Sequence, residues 1–204
     1  MSSSPFELTH KGVINLYEEI LNFGLYHVEV GYQEYLHGLD SEVRYSEQVD
    51  YSNKPYLGVL VNLSTYKYFV PLTSPKARHS SWENVGQAHY LIYEPVTQEE
   101  LRPNDIVKND GNRLLKVLSA LEINKMIPVP EGAFNRINFD EQDPKYRALL
   151  RKEYLFLQNV QDNIKRKAKR IHDIQKQRSK VFPKYCDFML LEQACFNWSA
   201  DGRQ

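Results

Sequence analysis

The chain has almost no cysteine, no net charge and no long apolar run, and each shortage excludes a class of protein. Cys186 and Cys195 are the only cysteines in 204 residues. They are too few, and too far from any Cys/His constellation, for a structural zinc site. They can stand as a reduced, buried pair or as a disulfide, and the reduced pair is the expectation. The six histidines show no metal-ligand spacing. No apolar stretch reaches the roughly 18 residues needed to span a bilayer. The opening MSSSPFELTHKG lacks the basic and apolar regions of a signal peptide. A cytoplasmic protein follows by elimination. Internal repeats and low-complexity segments are also missing.

Lysine plus arginine balances aspartate plus glutamate at 26 each, yet residues 163–184 carry nine Lys or Arg and one acid, Asp173. A nucleic-acid partner depends on where charge sits rather than on its total, so neutrality does not exclude one. The 14 tyrosines are many for this length. They can stack on bases, although most tyrosines fill cores and surfaces. At this size one real core is the default.

Apolar spacing predicts a short helix over residues 12–22 that Gly24 ends. A strand over 25–30 and a helix over 32–39 follow, then a polar loop over 44–54. Residues 57–63 and 66–71 read as a hairpin around Ser64-Thr65. A further strand is expected at 88–93 and a proline-broken edge strand at 125–130. Residues 97–110 have helix-start character that Pro103 interrupts, and 114–121 suits strand or helix. The strongest helix spans 145–158, with its pattern continuing to about 178, and a last apolar helix covers 188–196. Short strands with helices inserted or appended indicate an α+β fold: a compact, twisted, mostly antiparallel sheet or barrel flanked by helices.

Chemistry concentrates in Pro71-Leu72-Thr73-Ser74-Pro75-Lys76. Pro75 cannot donate to a sheet ladder and so stops the strand. Two hydroxyls and a cation are then left where rigid backbone meets solvent, a good place to hold a phosphate.

PLTSPK, the preceding Lys54-Pro55-Tyr56-Leu57-Gly58-Val59, the later Lys125-Met126-Ile127-Pro128, Asp143-Pro144-Lys145-Tyr146-Arg147, Glu153-Tyr154-x-Phe156-Leu157 and Cys186-Asp187-Phe188 form an ordered set. This set resembles the ToxN/AbiQ-type endoribonuclease toxins of type III toxin–antitoxin systems over roughly residues 25–196. The resemblance implies one toxin domain over 25–200, with 1–24 as an extension. It implies a fold related to the Kid/MazF-type toxins and RNA cleavage that needs no metal or other cofactor and leaves 2′,3′-cyclic phosphate and 5′-hydroxyl ends. As partners it implies a repeated RNA pseudoknot as antitoxin, cellular or phage RNA as substrate, and a closed toxin–RNA hetero-oligomer in a bacterial cytoplasm. Pro55, after the lysine, departs from the family pattern.

Carried over residue by residue, Lys54, Thr73 and Ser74 are the catalytic candidates. Lys54 would stabilise charge at the phosphate or activate the 2′-hydroxyl, and the two hydroxyls would donate to the scissile phosphate. Tyr32, Tyr51, Lys76 and His79 are candidate RNA contacts. The basic run, with Lys165, Arg166, Lys167, Lys169 and Arg170, fits a phosphate-binding face for the antitoxin. Each has a plainer reading: a solvated lysine, a hydroxyl satisfying its own turn, a core tyrosine, a surface histidine, a solvated helix face. The alternative function is a non-catalytic RNA-binding or protein-interaction module on the same scaffold.

Overall fold

The computed structural model describes residues 23–45, 54–59 and 66–200. The expected helix over 12–22, the Ser64-Thr65 turn and Tyr51 lie outside them. The described residues form eight strands and three helices in chain order: β1 (Gly24–Val28), α1 (Val30–Leu39), β2 (Tyr56–Val59), β3 (Lys67–Thr73), β4 (His89–Val96), β5 (Val107–Asp110), β6 (Arg113–Glu122), β7 (Ile127–Val129), β8 (Phe134–Arg136), α2 (Pro144–Arg178) and α3 (Phe188–Ala200). All pairings are antiparallel, in the order β4-β6-β3-β2-β1-β8, with β5 added to β6 and β7 to β3. The fold is α+β, as the sequence indicates.

β3 is the centre of the sheet, and its proline is placed where it costs little. The Leu72 N–H donates to the Pro55 carbonyl on the β2 side, so the nitrogen of Pro71 faces the opposite edge. There β7 pairs only with Lys67, Tyr68 and Phe69, and β6 only with Leu72 and Thr73. The gap between them is a 3-10 turn, Ile123–Lys125. No ladder donor is missed at Pro71. Pro128 lies in β7, which pairs with β3 alone, matching the expected edge strand.

Asp143 begins α2 by accepting from the N–H groups of Lys145 and Tyr146, with Pro144 at the first helical position. The 35 residues of α2 extend about 52 Å at 1.5 Å per residue. The helix ends at Ser179, which takes the left-handed conformation at φ 46°. Its buried face is Leu150, Glu153, Leu157, Ile164, Ala168, Ile171, His172 and Gln175. The Tyr93 ring meets Phe156 edge-on at 5.2 Å, so α2 lies along β4. The Gln175 side chain accepts from the Phe188 N–H at 2.7 Å and donates to the Cys186 carbonyl at 2.9 Å, which caps α3 from α2.

The structure departs from the sequence reading at three places. Residues 97–110 hold one 3-10 turn, Gln98–Glu100, and then β5 rather than a helix start. β8 carries no strand signal in the sequence, because Phe134-Asn135-Arg136 is too short and too polar to show period-two burial. Leu155 lies within the predicted helix 145–158, where apolar spacing places it with Leu150 and Leu157 on the buried stripe, yet it is 61% exposed. Cys186 and Cys195 are both buried free thiols. Burial, reinforced by nearby Asp40, pushes the Cys186 thiol well up.

Candidate active site and RNA groove

The register of β2 against β3 builds the first site. Tyr56 pairs with Pro71, which carries Lys54 to the level of Thr73 and Ser74 at the ends of the two strands. The Lys54 ammonium donates to Ser74 Oγ at 2.8 Å. Pro55 does not disturb this, because its carbonyl still accepts from Leu72 at 3.0 Å. With one lone pair of Ser74 Oγ occupied by the lysine, its own O–H is free to point at a ligand. Ser74 and Lys76 are exposed. Thr73 is mostly buried, and its hydroxyl lies 3.5 Å from the Ala120 carbonyl, a weak bond.

Lys54, Thr73 and Ser74, but not Lys76, line a cleft of about 520 Å³ whose far wall is Leu118 and Ser119 of β6 with Tyr146, Leu149 and Glu153 of α2. Burial raises the Glu153 carboxyl to about 7, and the Ser119 hydroxyl pulls it back only in part. Burial, and then the nearby Glu153, raises the Tyr146 phenol to about 12. Sequence reasoning passed over Glu153. Its one signal is a carboxylate three residues after Leu150 and four before Leu157, on the face that both bury.

Two expected RNA contacts are core residues. Tyr32 is fully buried, donates to the Pro128 carbonyl at 2.7 Å, and packs its ring edge-on against Trp198 at 5.2 Å. His79 is also fully buried. Its Nδ1 accepts from the Lys76 N–H at 3.1 Å and its ring lies 4.6 Å from Trp82. Burial, then Arg78, lowers the His79 pKa and keeps the ring neutral. An accepting Nδ1 requires the Nε2–H tautomer. His79 therefore braces the turn after Ser74 instead of meeting solvent.

The basic run divides. Arg166, Lys167 and Arg170 line a groove of about 970 Å³ together with Tyr90, Phe182 and Tyr185. Lys167 is partly committed: it donates to the Gly86 carbonyl and sits 5.0 Å from the Tyr90 ring centre. Burial, then Arg170, lowers its pKa. A Cβ at Gly86 would come within 2.1 Å of the His89 ring, so any side chain there must displace that ring. Lys169 does not line the groove and pairs with Asp173 at 2.8 Å. Lys165 is half-buried outside it. Among the described residues no group of three His, Cys, Asp or Glu side chains could hold a metal ion, and no described helix is long and apolar enough to cross a membrane.

The chain is similar in sequence and fold to known proteins. The chain is 29% identical over 178 residues to "Endoribonuclease ToxN" of Bacillus thuringiensis subsp. kurstaki, covering 82% of this chain and 80% of the relative. It superposes with TM-score 0.64 and 26% identity, over 87% of this chain and 98% of the other, on a type III toxin studied for its selective inhibition by a non-coding RNA pseudoknot. AbiQ, described as a lactococcal anti-phage endoribonuclease of a type III system, shares the fold at TM-score 0.66 and 22% identity, over 88% of this chain and 99% of its own. The profile of "Toxin ToxN, type III toxin-antitoxin system" matches residues 24–195, so the chain belongs to the ToxN family.

Proposed function

We propose that this protein is an endoribonuclease toxin that cleaves RNA through the substrate's own 2′-hydroxyl, without a metal. The products would carry 2′,3′-cyclic phosphate and 5′-hydroxyl ends. The observation that carries this reading is the Lys54–Ser74 contact at 2.8 Å, at the mouth of the cleft. In-line attack requires the 2′-oxygen, phosphorus and 5′-oxygen to be aligned. Negative charge then builds on the phosphoryl oxygens, and preorganised donors stabilise it. Lys54 supplies the cation and Ser74 an outward O–H. Thr73 and Lys76 extend the same donor set from the end of β3.

The unit acting on RNA is residues 25–200, with 1–24 an extension, in a bacterial cytoplasm. A kinship with Kid/MazF-type toxins belongs to the same reading and is supported by the antiparallel sheet with helices packed on it. The inhibitor is an RNA pseudoknot, repeated in its transcript and closing with the toxin into a hetero-oligomer that covers the cleft. Growth arrest or abortive phage infection would follow its release. The test is cleavage of a mixed-sequence RNA by purified protein in excess EDTA, with chemical identification of the ends. Cyclic-phosphate ends are expected. Cleavage that stops with EDTA and resumes with a divalent ion would sink the metal-free mechanism.

The groove suits antitoxin RNA, with Arg166 and Arg170 for phosphates and Tyr90, Phe182 and Tyr185 for unstacked bases. It lies about 20 Å along α2 from Glu153, at 1.5 Å per residue over residues 153–166. The double variant Arg166→Glu/Arg170→Glu is expected to weaken antitoxin binding by at least about tenfold and to flatten its salt dependence. Cleavage by the free protein should change by less. Equal losses of both would argue against a separate RNA-holding face.

A further inference from the structure

Among the described residues the cleft is rich in hydrogen-bond donors and nearly lacks a group that can act as a base. Lys54 is an ammonium, and Thr73, Ser74, Ser119 and Tyr146 present hydroxyls. Cyclising cleavage also needs a group that takes the proton from the 2′-hydroxyl. Among the described residues Glu153 is the one carboxylate that lines the cleft. His79, the nearest histidine in sequence, is buried beneath the turn and held by Lys76.

The setting of Glu153 is hard to explain as stabilisation. The residue is 3% exposed, in the middle of the apolar face of α2, with Leu118 and Leu149 beside it in the cleft wall. It forms no ion pair among the described residues. A buried carboxylate without a cation opposes folding, and a leucine there would not. A costly group that opens onto a cleft is the pattern expected of a working acid or base.

We propose that Glu153 is the general base of the cleavage step, an inference that rests on the 2′-hydroxyl reading above. The Glu153 carboxylate takes the 2′ proton as the O2′–P bond forms and the P–O5′ bond breaks. The 5′-oxygen leaves with a proton drawn from water, and Glu153 returns its own proton to water. Lys54 and Ser74 hold the phosphoryl oxygens meanwhile. A carboxyl titrating about 7 is a substantial fraction carboxylate at neutral pH, and basic enough to accept the proton. The groups facing it are Ser119 from β6, Tyr146 from its own helix, and Lys54, Thr73 and Ser74 across the cleft. The adjacent Lys152 is engaged with Glu94 at 2.5 Å.

The experiment is single-turnover cleavage by the free, full-length protein from pH 5 to 9, for wild type and Glu153→Gln, with product ends and RNA affinity measured alongside. The wild-type rate should climb about tenfold per pH unit and level off near 7. Glu153→Gln should be slower at the plateau by about 10²–10³-fold, lose the climb, and bind RNA as before. In wild type, the ¹³C-labelled Glu153 carboxyl should titrate with the same midpoint as the rate, a readout that needs no variant to fold. Cyclic ends with an unchanged Glu153→Gln profile, or a carboxyl midpoint well away from that of the rate, overturn the role of Glu153 alone. Wild-type products without cyclic ends overturn the cleavage reading, and this role with it.

Discussion

Lys54→Ala and Ser74→Ala should each lower single-turnover RNA cleavage by about 10²–10³-fold, the usual effect of removing one preorganised donor from a developing oxyanion. The two losses should not multiply. The side chains touch at 2.8 Å, and Lys54 orients the hydroxyl that Ser74 donates, so either deletion disables both. The double variant should therefore fall close to the weaker single one. RNA affinity should change little, because a single phosphate contact is a small part of the whole. A double variant whose defect is the full product of the singles would mean that the two act separately. Full activity in either single variant would mean that the site lies elsewhere.

Glu192→Ala should destabilise the fold by about 3–5 kcal/mol, the range for removing the acceptor from a buried polar network. Glu192 Oε1 accepts from Tyr68 OH at 2.8 Å, and His172 Nε2 stands at 2.8 Å. Tyr68 and His172 are almost fully buried, so alanine leaves two donors without partners where water cannot reach. Those donors come from β3 and α2, while Glu192 is on α3. The network therefore ties both long helices to the central strand. For a chain of this size the loss corresponds to a fall in melting temperature on the order of 10 °C.

The network also sets a pH dependence. Burial works to raise the Glu192 pKa, and the hydrogen bonds from His172 and Tyr68 more than offset it, so the carboxyl lies below its ordinary value. A depressed carboxyl contributes stability above its unfolded pKa, and loses it as pH falls through the folded one. Wild type should lose stability on acidification below about pH 4.5, the usual carboxyl value. Glu192→Gln should show a shallower loss in that window. Parallel curves for the two proteins in thermal or urea unfolding would refute the assignment.

How much of this was legible beforehand depends on the range of the interaction. Lys54 and Ser74 are 20 positions apart but sit on adjacent strands of one hairpin. Apolar β-rich residues and a terminal proline are enough to place Thr73 and Ser74 at a strand end, whereas Lys54 reads locally as a solvated lysine and joins them only through the family resemblance. The long helix is legible for the same local reason: a 3.6-residue period and the Asp143-Pro144 start are written in neighbouring residues. Glu153, Tyr32 and His79 were not legible. Periodicity says which face a residue occupies, and only the strands packed against that face say whether a carboxylate there meets a cation, a hydroxyl or solvent. Tyr32 reads as a helix tyrosine until Pro128 and Trp198, about 100 and 166 positions away, close over it.

By itself the sequence determined the α+β class, the hydroxyl-bearing strand end at Thr73 and Ser74, the extent of the long helix and the location of excess positive charge. These follow from propensity, period and composition within short windows. The tertiary structure alone decided that Glu153 shares a cleft with Lys54, and that Tyr32 and His79 belong to the core. It also decided that the basic run divides, with Arg166 and Arg170 lining a groove and Lys169 bound to Asp173. Each of those outcomes is a matter of desolvation and of partners from distant segments, and neither is a property of the residue's own neighbourhood in the chain.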